Sequence, residues 1–222
     1  AAGNEGGSGA KPHVIMVMCE AFCDITNNEV FLYDEENDPL RNYNALSASE
    51  GAISGHIVVP NVNAGTANTE FDVMTGGQTK QLADGSIPFF SIRKETAGIA
   101  SILSDEGYAS MFTHPGRSWY YNRQNVYDYF GFDELYFADA YKNAEYSGTL
   151  VKDDSVGDFI IDAFEAQVSE NSDPFFSFAV TIENHMPYTI DRYGRDSSRA
   201  PDPVPLAQAI PAESAQTLAV YI

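Results

Sequence analysis

HVIMVMCEAF, residues 13–22, is apolar from His13 to Met18 and turns abruptly polar at Glu20. A short, nearly continuous apolar run of this kind predicts a central parallel strand covered on both faces. Ligands of open α/β sheets bind beyond the carboxyl ends of the strands, so Glu20 stands where a site would form. Two more runs share the pattern: Tyr108–Thr113 leads to His114, and Pro174–Thr181 (PFFSFAVT) leads to Glu183, Asn184 and His185. Ile53–Pro60 (ISGHIVVP) reads as a further strand, followed by a turn-rich stretch to Gly65. Helical patterns lie between the strands. Thr69–Thr75 stops at Gly76 and Gly77, Ser91–Glu106 stops at Gly107, and Arg123–Tyr129 ends at Gly131. Asp154–Val168 places Val156, Phe159, Ile160 and Phe164 on one face. Residues 27–50 read as loops with a short helix, 190–212 as a surface excursion, and Ala212–Ile222 as the start of another helix. Alternating strands and helices predict an α/β fold, a three-layer α/β/α sandwich with a largely parallel sheet.

The chain has 222 residues, enough for one such domain. Its formal net charge of −20 argues against nucleic acid, whose phosphates need clustered Lys and Arg. The same charge argues against docking on an anionic membrane through a basic patch. An anionic substrate would have to be met locally, by a metal ion or a few placed cations. No run of 18 apolar residues is present. Ala1–Ala10 is Gly-rich and lacks the basic and apolar regions of a signal peptide, so residues 1–11 read as a flexible tether or a vestige of cloning. Cys19 and Cys23 have poor spacing for a disulfide and no second pair for a zinc site, and read as two buried small residues.

Four polar clusters could carry chemistry. Glu20 is either a solvated loop carboxylate or an oxygen ligand suited to Mg²⁺ or Mn²⁺. Thr66, before a helical segment, is either an N-cap or a nucleophile that needs a base or metal to activate it. The two roles are compatible, because a helix N-terminus also favours phosphate. His114 is either structural or part of an anion site with the nearby Arg117 and Arg123, since arginine grips phosphate bidentately. His185, fixed by the following Pro187, could donate to an oxyanion or protonate a leaving group. His13 and His56 read as structural, within or beside strands.

Taken together, NAGTANTEFDVMTG (63–76) resembles the nucleophile segment of the lipoteichoic acid synthase family, a branch of the alkaline phosphatase and sulfatase superfamily. HVIMVMCEAF resembles that family's first strand, ending in a metal-binding glutamate. HPGRSWYYNR (114–123) and TIENHMPY (181–188) resemble its two substrate-contacting segments, and all four follow the family's order. The resemblance covers roughly residues 12–190 and implies that 12–222 is the N-terminal part of a sulfatase-like phosphoglycerol transferase domain. It implies Glu20 as ligand to Mn²⁺ or Mg²⁺ and Thr66 as both nucleophile and ligand. His114, Arg123 and His185 would hold the phosphate or glycerol, with Tyr121 where the family often has tryptophan. Glycerol phosphate would pass from phosphatidylglycerol through a phospho-threonine to a cell-envelope acceptor such as a teichoic or glycerol-phosphate polymer. The domain would lie on the extracytoplasmic face of a bacterial membrane, anchored by upstream helices.

Two departures matter. Gly116 stands where some family members carry a polar side chain. The family's metal site is completed by an Asp-His pair further on, and no Asp-His dipeptide occurs here. The chain is therefore expected to be incomplete at its C-terminus, to bind metal weakly and to turn over little by itself. A sulfatase needs Cys or Ser in C/S-x-P-x-R, whereas Thr66-Ala67-Asn68-Thr69-Glu70 has neither the proline nor the arginine. The remaining alternatives are a phosphoethanolamine transferase and a non-catalytic module that binds glycerol-phosphate polymers.

Overall fold

A computed structural model describes residues 11–26, 31–59, 65–83, 85–170, 172–186 and 204–205. The expected tether up to residue 10, the turn at 61–64, most of the 190–212 excursion and the helix expected from 212 lie outside these residues. In chain order the elements are β1 (Val14–Met18), β2 (Phe31–Leu32), α1 (Arg41–Ser47), α2 (Thr66–Thr75), α3 (Ile99–Asp105) and β3 (Ala109–Thr113). There follow α4 (Arg123–Tyr129), β4 (Glu134–Tyr136), the two-residue strands β5 (Tyr146–Ser147) and β6 (Leu150–Val151), α5 (Asp153–Glu170), β7 (Phe175–Val180) and β8 (Val204–Pro205).

Four strands form a parallel sheet in the order β1-β7-β3-β4, with Met16 and Phe112 both in register with Phe178. One face carries Phe112, Phe176 and Phe178 against Ala67 and Met74 of α2 and Val126 and Tyr127 of α4. Phe112 and Tyr127 stack with centroids 3.4 Å apart. The other face packs Met111, Phe175 and Ala179 against Val156 and Ile160 of α5. Each fully buried aromatic of this kind stabilises the fold by about 1.5–3 kcal/mol, and the two clusters make the expected three layers.

The structure corrects several local expectations. Among the described residues β1 is a terminal strand of the sheet, and its alternate side chains Ile15 and Val17 are 49% and 44% exposed. The strand buried on both faces is β7, all six of whose residues are buried. Residues 53–59 form no strand, and Ile53, Ile57 and Val58 are almost fully exposed. An apolar run is no strand without a partner edge for its backbone groups. His56 is therefore exposed and irregular, whereas His13 accepts a hydrogen bond from the Phe175 amide at 3.1 Å. The helix expected from Ser91 begins only at Ile99, because Gly98, with extended backbone, caps it. Cys19 and Cys23 are free but exposed rather than buried. The short strands β4, β5 and β6 carry too few residues to show alternation.

Candidate functional site

Parallel pairing brings the carboxyl ends of β1, β7 and β3 to one sheet edge, and Glu20, Thr181–His185 and His114 follow directly. The ladder continues past the strands: the Thr181 amide donates to Met18 O at 3.1 Å, and the Glu20 amide to Thr181 Oγ1 at 3.2 Å.

Thr66 is the first residue of α2, and its cap is Gly65, at φ +96°, a conformation that favours glycine. The Thr66 hydroxyl is thus released from capping. It donates instead to Glu20 Oε1 at 2.8 Å, joining residues 46 apart in sequence. Burial raises the Glu20 carboxyl above its ordinary value; the Thr66 hydrogen bond and the charges of His185 and Arg123 offset this only in part.

One turn further along α2, Glu70 is fully buried. Its carboxylate takes Arg123 Nη2 at 2.6 Å and Nε at 3.0 Å, and the Tyr127 hydroxyl at 2.7 Å. Burial alone would push Glu70 up, but Arg123 and Tyr127 hold it below the usual carboxylate range. Arg123, 2% exposed, gives one edge of its guanidinium to this pair, and the ring of Tyr121 lies 5.1 Å from its Cζ. Its capacity to grip an anion bidentately is therefore confined to the opposite edge.

His114 is 3% exposed, and its Nδ1 lies 2.9 Å from Val180 O. A carbonyl only accepts, so Nδ1 carries the proton and Nε2 is left as an acceptor. Burial, followed by the Arg123 charge, lowers this histidine to about 4, so the ring is neutral at neutral pH. Gly116 packs onto Nε2 so closely that a Cβ there would collide with it. His185 is exposed, and its loop is tied to the start of α5. Asp153 N donates to Glu183 Oε2 at 2.8 Å, Glu183 N to Asp153 Oδ1 at 3.2 Å, and Asn184 Nδ2 to Asp153 Oδ2 at 3.2 Å. Burial raises Asp153 to about 6.

The structure thus joins Glu20 to Thr66 by a hydrogen bond and places Tyr121 against Arg123. The charge of His185 lowers Glu20, and neutral His114 feels the charges of Arg123, Glu70 and His185. Residue-by-residue reading gave no role to Glu70, Tyr127, Asp153 or Glu183. For Glu70 a signal existed: it lies four residues after Thr66, on the same helix face. The donor set suits a hard divalent cation, because two oxygens meet at a half-buried carboxylate without a bonded cation. Among the described residues no group of three or more His, Cys, Asp or Glu could hold a metal, so Glu20 and Thr66 would be only part of its ligands.

The sulfatase family model matches residues 12–221. A protein of Rhizobium meliloti (strain 1021), named as a candidate cyclic β-1,2-glucan modification protein, is 33% identical over 212 residues, 95% of this chain and 30% of that protein. Lipoteichoic acid synthase of Staphylococcus aureus (strain USA300) is 33% identical over 87 residues, 39% of this chain and 13% of the synthase. Among solved structures, lipoteichoic acid synthase LtaP from Listeria monocytogenes superposes with a TM-score of 0.72 at 16% identity, over 95% of this chain and 48% of LtaP. Phosphoglycerol transferase GacH of Streptococcus pyogenes, solved with sn-glycerol-1-phosphate, gives 0.65 at 21% identity, over 96% and 53%. The chain spans less than a third of the length of these curated relatives and about half of each solved chain. At these identities the superpositions establish the fold.

Proposed function

Because the chain belongs to the sulfatase family, we propose that it carries the nucleophile half of a site that transfers glycerol phosphate from phosphatidylglycerol to a hydroxyl acceptor. The observation that carries this reading is the 2.8 Å hydrogen bond from Thr66 to Glu20 at a helix N-terminus, on the carboxyl edge of a parallel sheet. Thr66 holds its proton toward Glu20 Oε1, which leaves its lone pairs for phosphorus. An Oγ1–P bond forms as the Thr66 hydroxyl proton passes to Glu20 Oε1 and the bond from phosphorus to the diacylglycerol oxygen breaks, and His185, exposed at the end of β7, gives that oxygen a proton. The N-terminus of α2, which carries no side-chain cap, favours the phosphate oxygens. Glu20 and Thr66 would hold a divalent cation, Mn²⁺ or Mg²⁺, which when bound lowers the pKa of the hydroxyl it touches.

His114 and Arg123 suit the glycerol end better than the phosphate. His114 is neutral with an acceptor nitrogen, and the Arg123 charge is matched by Glu70. Such a pair recognises neutral hydroxyls, and Tyr121 closes one side of it. The acceptor would be a cell-envelope glycan or a teichoic polymer; the glucan-modifying name of the 33% identical relative supports the first. The natural protein would act outside the cytoplasm, anchored by segments other than this chain; among the described residues no helix is long and apolar enough to cross a membrane.

Sulfate ester hydrolysis is disfavoured. Where the sulfatase pattern has arginine, four residues after the nucleophile, this chain has Glu70, and the guanidinium beside it comes from Arg123 of α4. The test is mass spectrometry of the natural protein after incubation with phosphatidylglycerol. A glycerophosphate adduct on Thr66 is expected; an adduct on another residue, or none with diacylglycerol still released, would overturn the reading.

A further inference from the structure

Beside the Arg123 face of the site, four aromatic rings run in unbroken contact. Phe90 and Tyr121 have centroids 6.2 Å apart, Tyr121 and Tyr120 4.6 Å, and Tyr120 and Trp119 5.9 Å. Phe90, Tyr120 and Trp119 are more than half exposed. A contiguous exposed apolar surface of this kind marks a place where something binds. At its Phe90 end opens a cavity of about 240 Å³, also lined by Arg93, Asn122, Asn125 and Tyr129. Its polar members are planar groups that offer paired donors and acceptors. Asn125 Nδ2 donates to Asn122 Oδ1 at 2.7 Å, which holds the two amides side by side. Arg93 Nη1 donates to Ile92 O at 2.7 Å, leaving the rest of its guanidinium for the cavity.

The backbone between ledge and cavity is strained. Tyr121 and Asn122 are consecutive non-glycine residues at φ +55° and +59°, a conformation that costs free energy and clusters at functional sites. The strain sets the Tyr121 ring against Arg123 while Asn122 lines the cavity. Tyr121 lies on Arg123, and Arg123 is bonded to Glu70, one turn along α2 from Thr66, so the ledge adjoins the Thr66–Glu20 site.

We propose that the ledge and cavity are the acceptor subsite and that they take a neutral saccharide. A sugar ring has apolar C–H faces and a rim of hydroxyls. The faces match exposed aromatic rings, and the rim matches side-by-side amides and a guanidinium edge. A polyanionic acceptor would meet a chain of net charge −20 with Arg93 as the one cation lining the cavity among the described residues. This rests on the transfer reading above and adds its second step. A sugar hydroxyl attacks the phosphorus held on Thr66; the new O–P bond forms, the Oγ1–P bond breaks, and the hydroxyl proton ends on Thr66.

Trp119 is the only tryptophan in the chain, so in the isolated chain its fluorescence reports on the ledge without turnover. Titration with a β-linked glucose oligosaccharide should shift its emission saturably, and the Asn125→Ala variant should need about tenfold more sugar. In the natural protein, Trp119→Ala and Asn125→Ala should lower transfer to the oligosaccharide about tenfold more than they lower diacylglycerol release. An emission that does not respond to sugar, or variants that lower both half-reactions equally, would overturn the subsite. So would an emission that responds to phosphatidylglycerol vesicles and not to sugar, which would make the ledge a membrane contact. Absence of any Thr66 adduct, with the sugar titration intact, would fault the transfer reading and leave the saccharide site standing.

Discussion

Two carboxylates meet α2 one turn apart, and they have opposite fates. Glu70 is the more deeply buried, yet its pKa is lowered, because a guanidinium and a phenol meet its oxygens. Glu20 is less buried, yet its pKa is raised, because burial outweighs the hydrogen bond of its neutral partner, the Thr66 hydroxyl. Burial acts in the same direction on both; what differs is the charge of the bonded partner. The Glu70 side of the helix is finished, and the Glu20 side is built to receive positive charge. This contrast separates the scaffold of the site from its reacting end.

The sharpest way to break the contrast is at Thr66. Thr66→Ala should eliminate the glycerophosphate adduct in the natural protein, while stability falls by only about 1 kcal/mol, the worth of one hydrogen bond. Mass spectrometry and a urea titration read the two effects. Next in size is Glu70→Ala, which strands Arg123 as a buried unpaired charge. It should cost about 3–5 kcal/mol, measured by the same titration, and Glu20→Ala should cost far less. Equal losses at the two positions would mean that Glu20 is also scaffold. The third effect belongs to His114, whose pKa falls from 6.5 to about 4 on folding. A depressed histidine leaves the unfolded chain binding the extra proton. Its contribution is full above pH 6.5 and is lost as pH falls toward 4. Relative to His114→Gln, the parent protein should lose about 3 kcal/mol across that window.

The ends of β1, β3 and β7 were legible because each is an apolar run that stops at a polar residue, and strands paired in parallel bring those ends to one edge. Hence Glu20, His114 and His185 arrive at one edge as expected. The order of those strands was not legible. HVIMVM and PFFSFAVT look alike, and only the crossover connections put β7 inside and β1 at the end of the sheet. ISGHIVVP has the composition of a strand without a partner edge among the described residues. The Thr66–Glu20 contact spans 46 residues, and no local rule predicts it; the family resemblance supplied both residues without their geometry. Glu70 was hidden for another reason. A glutamate in a helix is usually a solvated residue, and what makes this one buried is Arg123, 53 positions away.

The smallest expected effect tests the open side directly. Because folding raises the Glu20 pKa, the group favours the fold when protonated, so its contribution is present below the unfolded value of 4.5 and is lost as pH rises through the raised one. At neutral pH its charge therefore opposes folding. Glu20→Gln keeps an oxygen to accept the Thr66 hydroxyl and removes that charge. The variant should melt at the same temperature as the parent or slightly higher in chelator. Saturating Mn²⁺ should reverse the order, because a ligand that binds the folded state at Glu20 stabilises the parent and not the variant. A variant that melts lower than the parent in chelator would show that the carboxylate already has its counter-charge, and the difference between the two sides of α2 would disappear.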